Sequence, residues 1–253
     1  MDESAEDLKA HRDWLLSFVR PADDMAVVDL GCGTGEDLLA MAKRIPNRTA
    51  RFIGVDASEQ KLSAASERAG HEDRISFLQH RVGERLPFDD ATFNVVYSSN
   101  LLECLDHPES FVAEAARVLR PGGMAVIAHW DWDSQLFDAT DKARLRRLVQ
   151  AFSDWQQPWM DHSDGWMGRR LNGIFGATRL FDGATHTRVL TNTIFAAPWY
   201  GHGRAQDFSA LVKQELVSAE DYAGFLKDQA ALHAQGRYFY SITGFAYVGV
   251  RVT

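Results

Sequence analysis

The run VVDLGCGTGEDLL, Val27 to Leu39, leaves few folds open: an apolar strand pattern breaks into three alternating glycines, Gly31, Gly33 and Gly35, and resumes as a helical pattern. Glycine reaches positive φ without a Cβ penalty and lets backbone come close to a ligand. Strand, tight turn and helix start at this spacing therefore make a cradle for a nucleoside-containing cofactor. The spacing also excludes a ligand. Dinucleotide sites read G-x-G-x-x-G with the pyrophosphate over the helix start, whereas here Asp29 stands two residues ahead of the first glycine. A carboxylate there repels a pyrophosphate. It suits a turn rich in N–H donors, or the cationic portion of a sulfonium cofactor.

After the apolar run Arg51 to Val55 comes Asp56, 21 residues beyond Gly35, close to the spacing of about 20 at which a ribose-binding acid ends the second strand. A third segment runs from Leu86 to Ala128, and its tail, Arg117 to Gly123, reads as a helix stopped by Pro121 and Gly122 before a buried strand. These motifs, in this order across roughly residues 25 to 130, resemble the class I S-adenosylmethionine-dependent methyltransferases; the third resembles the fourth strand, following helix and fifth strand of their small-molecule, UbiE-like branch.

The resemblance implies an α/β fold: a doubly wound, Rossmann-like seven-stranded sheet, mostly parallel with an antiparallel last strand, and a helical lid inserted after strand five. It implies one domain over residues 1–253, with the core in about 21–130 and 185–253 and lid or substrate segments in about 1–20 and 131–184. It also implies S-adenosyl-L-methionine as cofactor, S-adenosyl-L-homocysteine as product, and an N, O or C atom of a metabolite as methyl acceptor.

The chain's own patterning agrees. Apolar runs at Ala26–Leu30, Arg51–Val55, Ile75–His80, Phe93–Ser98 and Met124–His129 alternate with helical stretches, which implies a parallel sheet covered on both faces. The resemblance makes Thr187–Ala197 and Tyr238–Val252 strands six and seven. Helices are expected over Ser4–Val19, Asp141–Trp155, Asp164–Phe175, Ala205–Val217 and Ala219–Ala234, the last capped by Ser218 with Asp221 three residues on. Ligands of such sheets bind outside the carboxyl ends of the strands at the switch in strand order, so Gly31, Asp56, Val82, Ser98 and His129 are expected to face one crevice.

Composition narrows the partners. A net charge of −8 argues against a surface that neutralises phosphates, so a small molecule is the better acceptor and nucleic acid is not expected. No Asn-Pro-Pro-Tyr or Asp-Pro-Pro-Tyr tetrad follows strand four, where Ser98-Ser99-Asn100-Leu101 stands, and the glycine spacing disfavours a nicotinamide dehydrogenase. There is no run of 18 apolar residues and no signal-like start, so neither membrane nor export is expected and the compartment is read as cytoplasm. Cys32 and Cys104 are read as reduced and buried, and the scattered histidines imply no metal.

The expected cofactor contacts are Asp29, Gly31, Gly33, Gly35, Asp56, Ala57, Val82, Gly83 and Ser98. One position departs from the family: alignment on Leu86-Pro87-Phe88 puts Arg81 where an acid commonly takes the adenine amino group. Either backbone at Val82 and Gly83 with Glu84 nearby holds the adenine, or Arg81 points to solvent, or cofactor affinity is reduced. Arg81 keeps open a second class of function, a protein of this fold that binds the cofactor without transferring methyl. Asn94 likewise replaces a more usual Asp, which is expected to affect only a turn.

Methyl transfer from a sulfonium is an in-line displacement, so a base is needed only when the nucleophile carries a proton of high pKa. The candidates are Glu103, just past strand four, and His129, which ends strand five. Glu103 has an equally good reading as a first-turn acid favoured by the helix dipole, and His129 as a satisfied core histidine. Trp130, Asp131 and Trp132 are the expected substrate contacts; aromatic faces of Trp130, Trp132, Trp159 and Trp166 suit a planar or cationic acceptor. Packing explains the tryptophans as well, Trp166 above all, and Asp131 and Asp133 read as surface acids.

Overall fold

The computed structural model describes residues 6–20, 22 and 24–252. In chain order the elements are α1 (Glu6–Leu16), β1 (Ala26–Leu30), α2 (Glu36–Arg44), β2 (Arg51–Asp56), α3 (Glu59–Ala69), β3 (Ile75–Gln79), β4 (Phe93–Ser99), a 3-10 turn (Leu102–Cys104) and α4 (Pro108–Val118). They continue as β5 (Leu119–Phe137), α5 (Lys142–Ser153), α6 (Met167–Thr178), β6 (Phe181–Asn192), α7 (Tyr200–Asp207), α8 (Ser209–Lys213), α9 (Ala219–Ala234) and β7 (Tyr240–Arg251). Ser4, the expected start of the first helix, lies outside the described residues.

Among the described residues the strands form a 7-stranded sheet in the order β3-β2-β1-β4-β5-β7-β6. Neighbours from β3 to β5 pair in parallel, while β7 runs antiparallel to both β5 and β6. The expected doubly wound sheet with an antiparallel last strand is therefore present. Its strand order reverses between β1 and β4, and the crevice at their carboxyl ends is where such sheets take ligands.

The strand period explains how both faces are covered. Val28 and Leu30 of β1 pack with Val96, Phe111 and Phe175 on one side, while Val27 packs with Phe52, Val95, Leu38 and Leu16 on the other. A third cluster, with Phe137, Leu148, Phe208, Phe225 and Tyr240, joins the segments after β5 to the start of β7. Ser218 Oγ accepts from the Asp221 N–H at 2.9 Å, as the cap of α9 requires.

Four expectations change. Strand five does not stop at His129: it pairs with β7 as far as Phe137, with a register shift between Asp131 and Leu136, because β7 offers a partner that a sequence window cannot see. Strand six is displaced to Phe181–Asn192; it is the sheet edge, its side chains are mostly exposed, and it lacks the alternation that marks a half-buried strand. The single helix expected over Ala205–Val217 is two short ones meeting at Phe208, which is fully buried in the third cluster. Asn94 sits on β4, where its Oδ1 accepts from the Ala26 N–H at 2.8 Å and so ties down the start of β1.

Asp131 is not a surface acid. It is 1% exposed, and both its oxygens receive Arg169, whose Nη2 is 2.6 Å from Oδ1 and whose Nε bonds Oδ2. Arg169→Ala strands that buried charge and is expected to cost about 2 kcal/mol in urea unfolding, less than for a fully buried pair because Arg169 reaches solvent. Adding Asp131→Asn should restore much of the loss; no recovery would mean the pair is not what Arg169 contributes.

Candidate functional site

The glycine turn leaves β1 with Gly31 and Cys32 donating their N–H groups to Val55 O at 2.8 and 3.0 Å, and Gly35 N–H closing onto Cys32 O at 2.9 Å. All three glycines lie in the left-handed region, with φ of 78°, 53° and 74°. A Cβ on Gly33 would meet nothing within 4 Å, so the turn presents bare backbone to open space. Asp56, ending β2, accepts the Gly33 N–H at Oδ2 and the Ser58 N–H at Oδ1, each at 2.9 Å. A carboxylate offers about four lone-pair positions; half of Asp56's capacity holds the turn and the rest is free for a ligand.

A cavity of about 270 Å³ opens beside this turn, lined by Asp29, Gly31, Gly33, Ser99, Asn100 and Trp130, with His11 and Arg12 of α1 across from them. Arg12 bonds Asp37 Oδ1 at 2.8 Å and Glu36 Oε2 at 2.7 Å, fastening α1 to the first turn of α2. Asp29 is buried, and burial together with the charges of Asp37 and Asp56 pushes its carboxyl well above the usual range. His11 stacks on Trp130 with ring centroids 4.0 Å apart, and burial lowers its pKa to about 3. Its unfolded value is higher, so this contact stabilises fully above about 6.5 and weakens as pH falls from there toward 3. His11→Phe should therefore flatten the acid side of a thermal-stability profile; an unchanged slope would exclude His11 as its source.

A second cavity, about 320 Å³, is walled by Trp132, Phe152, Trp155 and Met160 and carries Glu103, Arg204 and Asp207. The same two segments serve both spaces: Ser99 and Asn100 face the first and Glu103 the second, while Trp130 faces the first and Trp132 the second. Asn100 makes the join. At φ 56° it turns the chain out of β4, donates its N–H to Ala128 O at 3.0 Å and accepts the Trp130 N–H at 3.0 Å.

Glu103 is 6% exposed on the 3-10 turn, with Oε2 accepting from Trp132 Nε1 at 2.5 Å. Burial raises its carboxyl pKa, against the opposing pull of His129 and the Trp132 hydrogen bond. His129 Nδ1 lies 2.9 Å from Trp130 O, to which it donates, and Nε2 lies 3.9 Å from Glu103 Oε1. Nε2 has no hydrogen-bond partner in the structure.

Arg81 is engaged by an acid far along the chain. It pairs with Asp161 on the loop between α5 and α6, whose Asp161 N–H also bonds Cys104 O at 3.1 Å. Nearby, Lys61 Nζ sits 5.5 Å over the Trp159 ring. These contacts pin residues 156–163 down between the two halves of the crevice. The ion pair is exposed and contributes at most about 1 kcal/mol. Arg81→Ala is thus expected to leave the unfolding midpoint almost unmoved while amide exchange at Asp161 and His162 accelerates; equal exchange in both proteins would show that the pair pins nothing.

Of the expected cofactor contacts, Asp29, Gly31 and Gly33 line the first cavity, Gly35 begins α2 under Phe77, and Asp56 braces the turn. Ala57 is exposed, its carbonyl taken by Gln79 Nε2 at 3.2 Å. Val82 and Gly83 border a separate small hollow with Leu86 and Phe111, and Ser98 is turned inward, its Oγ donating to Leu30 O at 2.7 Å. Of the expected substrate contacts only Trp132 lines the second cavity; Trp130 belongs to the first and Asp131 to Arg169. Trp159 and Trp166 are half exposed, Trp166 lying under Arg169 at 4.5 Å. Missed were His11, Arg12, Ser99 and Asn100 in the first space and Phe152, Trp155 and Arg204 in the second. Only the position of Ser99 and Asn100 just past a strand end hinted at a role.

The turn, the brace and the strand order are those of the class I methyltransferase fold. Residues 27–123 match the methyltransferase domain family. It is 31% identical over 146 residues to the ubiquinone biosynthesis O-methyltransferase of Maricaulis maris, a match covering 57% of this chain and 52% of that protein. The first curated relatives are matched over only 38% to 52% of their own length. Among solved structures, YcgJ of Bacillus subtilis superposes with a TM-score of 0.63 at 16% identity, covering 97% of this chain and 99% of that one. The geranyl diphosphate C-methyltransferase of Streptomyces coelicolor A3(2), in complex with Mg2+, geranyl diphosphate and S-adenosyl-L-homocysteine, gives 0.56 at 15% identity, covering 97% and 79%.

Proposed function

We propose that this chain transfers a methyl group from S-adenosyl-L-methionine to an N, O or C atom of a small metabolite, working as one domain in which segments about 1–20 and 131–184 shape the acceptor site. The observation that carries this reading is Glu103: a buried carboxyl in an aromatic-walled cavity, three residues from Asn100 in the wall of the glycine-turn cavity. The bare backbone at Gly33 and the free lone pairs of Asp56 fit an adenosyl group, with Asp56 taking the ribose hydroxyls and buried Asp29 lying where the methionine portion would end. The cofactor, when bound, supplies an electrophilic methyl whose S–C electron pair stays with sulfur, giving S-adenosyl-L-homocysteine.

The protein's share is orientation, exclusion of water and custody of a proton. Glu103 accepts the acceptor's proton at Oε1, the oxygen that Trp132 leaves free, with His129 Nε2 3.9 Å away. Net charge supports a small acceptor over nucleic acid, and the lack of any helix long and apolar enough to cross a membrane among the described residues accords with a cytoplasmic location. The test is calorimetric titration with S-adenosyl-L-methionine, followed by a product-release assay against amines, phenols and catechols. Binding with turnover of one class supports methyl transfer; binding without any turnover favours a non-methylating protein of this fold, and absence of binding overturns both.

A further inference from the structure

The acceptor cavity holds one side chain that the proposed chemistry leaves unexplained. Arg204, on α7, faces the same space as Glu103 and Trp132. Its guanidinium lies 4.8 Å over the Tyr200 ring and 5.9 Å from the Trp132 ring. Nη2 pairs with Asp207 at 2.6 Å, with Arg204 25% and Asp207 44% exposed, so the counter-charge sits toward the rim. Nε is buried and has no hydrogen-bond partner among the described residues. A guanidinium carries five N–H donors in a planar fork suited to a carboxylate; here one carboxylate meets one corner, and aromatic faces hold the plane in position. Placing a cation between a tyrosine and a tryptophan without matching its donors is costly unless something else arrives to match them.

We infer, resting on the reading of this cavity as the acceptor site, that Arg204 reads an anionic group: the acceptor is a small aromatic molecule bearing a carboxylate, its ring against the wall of Trp132, Phe152 and Trp155. The volume, about 320 Å³, stands at the low end of ligand pockets and suits one or two rings. The charges facing the site favour an anion at this end. Asp207 is already engaged with Arg204, and Glu103, the other acid, is held by Trp132 deep in the wall, so an ammonium placed beside Arg204 would meet a like charge.

The test titrates 1-naphthoate, 1-naphthylmethanol and 1-naphthylmethylamine into the whole protein, with and without S-adenosyl-L-homocysteine, following tryptophan fluorescence. Naphthoate should bind at least ~10-fold more tightly than the alcohol and the amine. Arg204→Gln should erase that advantage and Arg204→Lys keep part of it, with S-adenosyl-L-homocysteine affinity unchanged as the sign of an intact fold. Asp207→Asn, which frees the fork, should tighten naphthoate several-fold. The inference is overturned if the alcohol or amine binds as well as the carboxylate, if the advantage survives Arg204→Gln, if Asp207→Asn weakens naphthoate, or if none of the three binds. Failure of S-adenosyl-L-homocysteine to bind the unaltered protein would strike the proposed function instead, while the ranking of the three probes still reports on Arg204.

Discussion

Gly33→Leu should remove S-adenosyl-L-methionine binding from calorimetric detection, a loss of ~100-fold or more. Two effects add. At φ 53° any side chain adds backbone strain of about 1–2 kcal/mol, and the new side chain projects into the open space beside the turn, where nothing lies within 4 Å of a Cβ. Asp56→Ala should come close to the same loss by another route. It deletes the acceptor of the Gly33 N–H and the lone pairs left for the ribose, and hydrogen bonds to a charged group contribute about 1.5–3 kcal/mol each. Asp56→Asn keeps one acceptor oxygen and should fall between. Unchanged affinity in both Gly33→Leu and Asp56→Ala would remove the cofactor from this crevice.

For Glu103→Gln the expected loss is in turnover, about 10²- to 10⁴-fold, the usual contribution of a positioned acid or base, with little change in cofactor affinity. The pH profile carries the sharper signature. Burial raises the Glu103 carboxyl, so it stays protonated, and unable to accept a proton, to higher pH than an exposed glutamate does. Turnover should rise as pH climbs through that raised value, and the rise should vanish in the Gln variant. A variant that loses cofactor affinity more than turnover, or keeps the same acid limb, would take Glu103 out of the chemistry.

How legible the molecule was in its sequence differs from part to part. The glycine turn, Asp56 and strands β1, β2 and β4 were readable because their information is local: positive φ favours glycine, and a strand covered on both faces is a continuous apolar run. Strand β6 was placed six residues too late at its start because an exposed edge has no such run. Arg81 looked like a defect in an adenine site, yet its partner Asp161 lies 80 residues away, a separation no spacing argument spans.

The chain's order of residues alone settled the sheet's class, the glycine bend and the acid that braces it, since each depends on neighbours within one strand and one turn. It did not settle which side chains line the second cavity. Glu103, Trp132, Phe152 and Arg204 come from four separate segments, and Trp130 faces one space and Trp132 the other across the point where the register of β5 shifts, while Asp131 between them turns to Arg169. Packing of distant segments, with the burial and charge pairing it imposes, made those assignments.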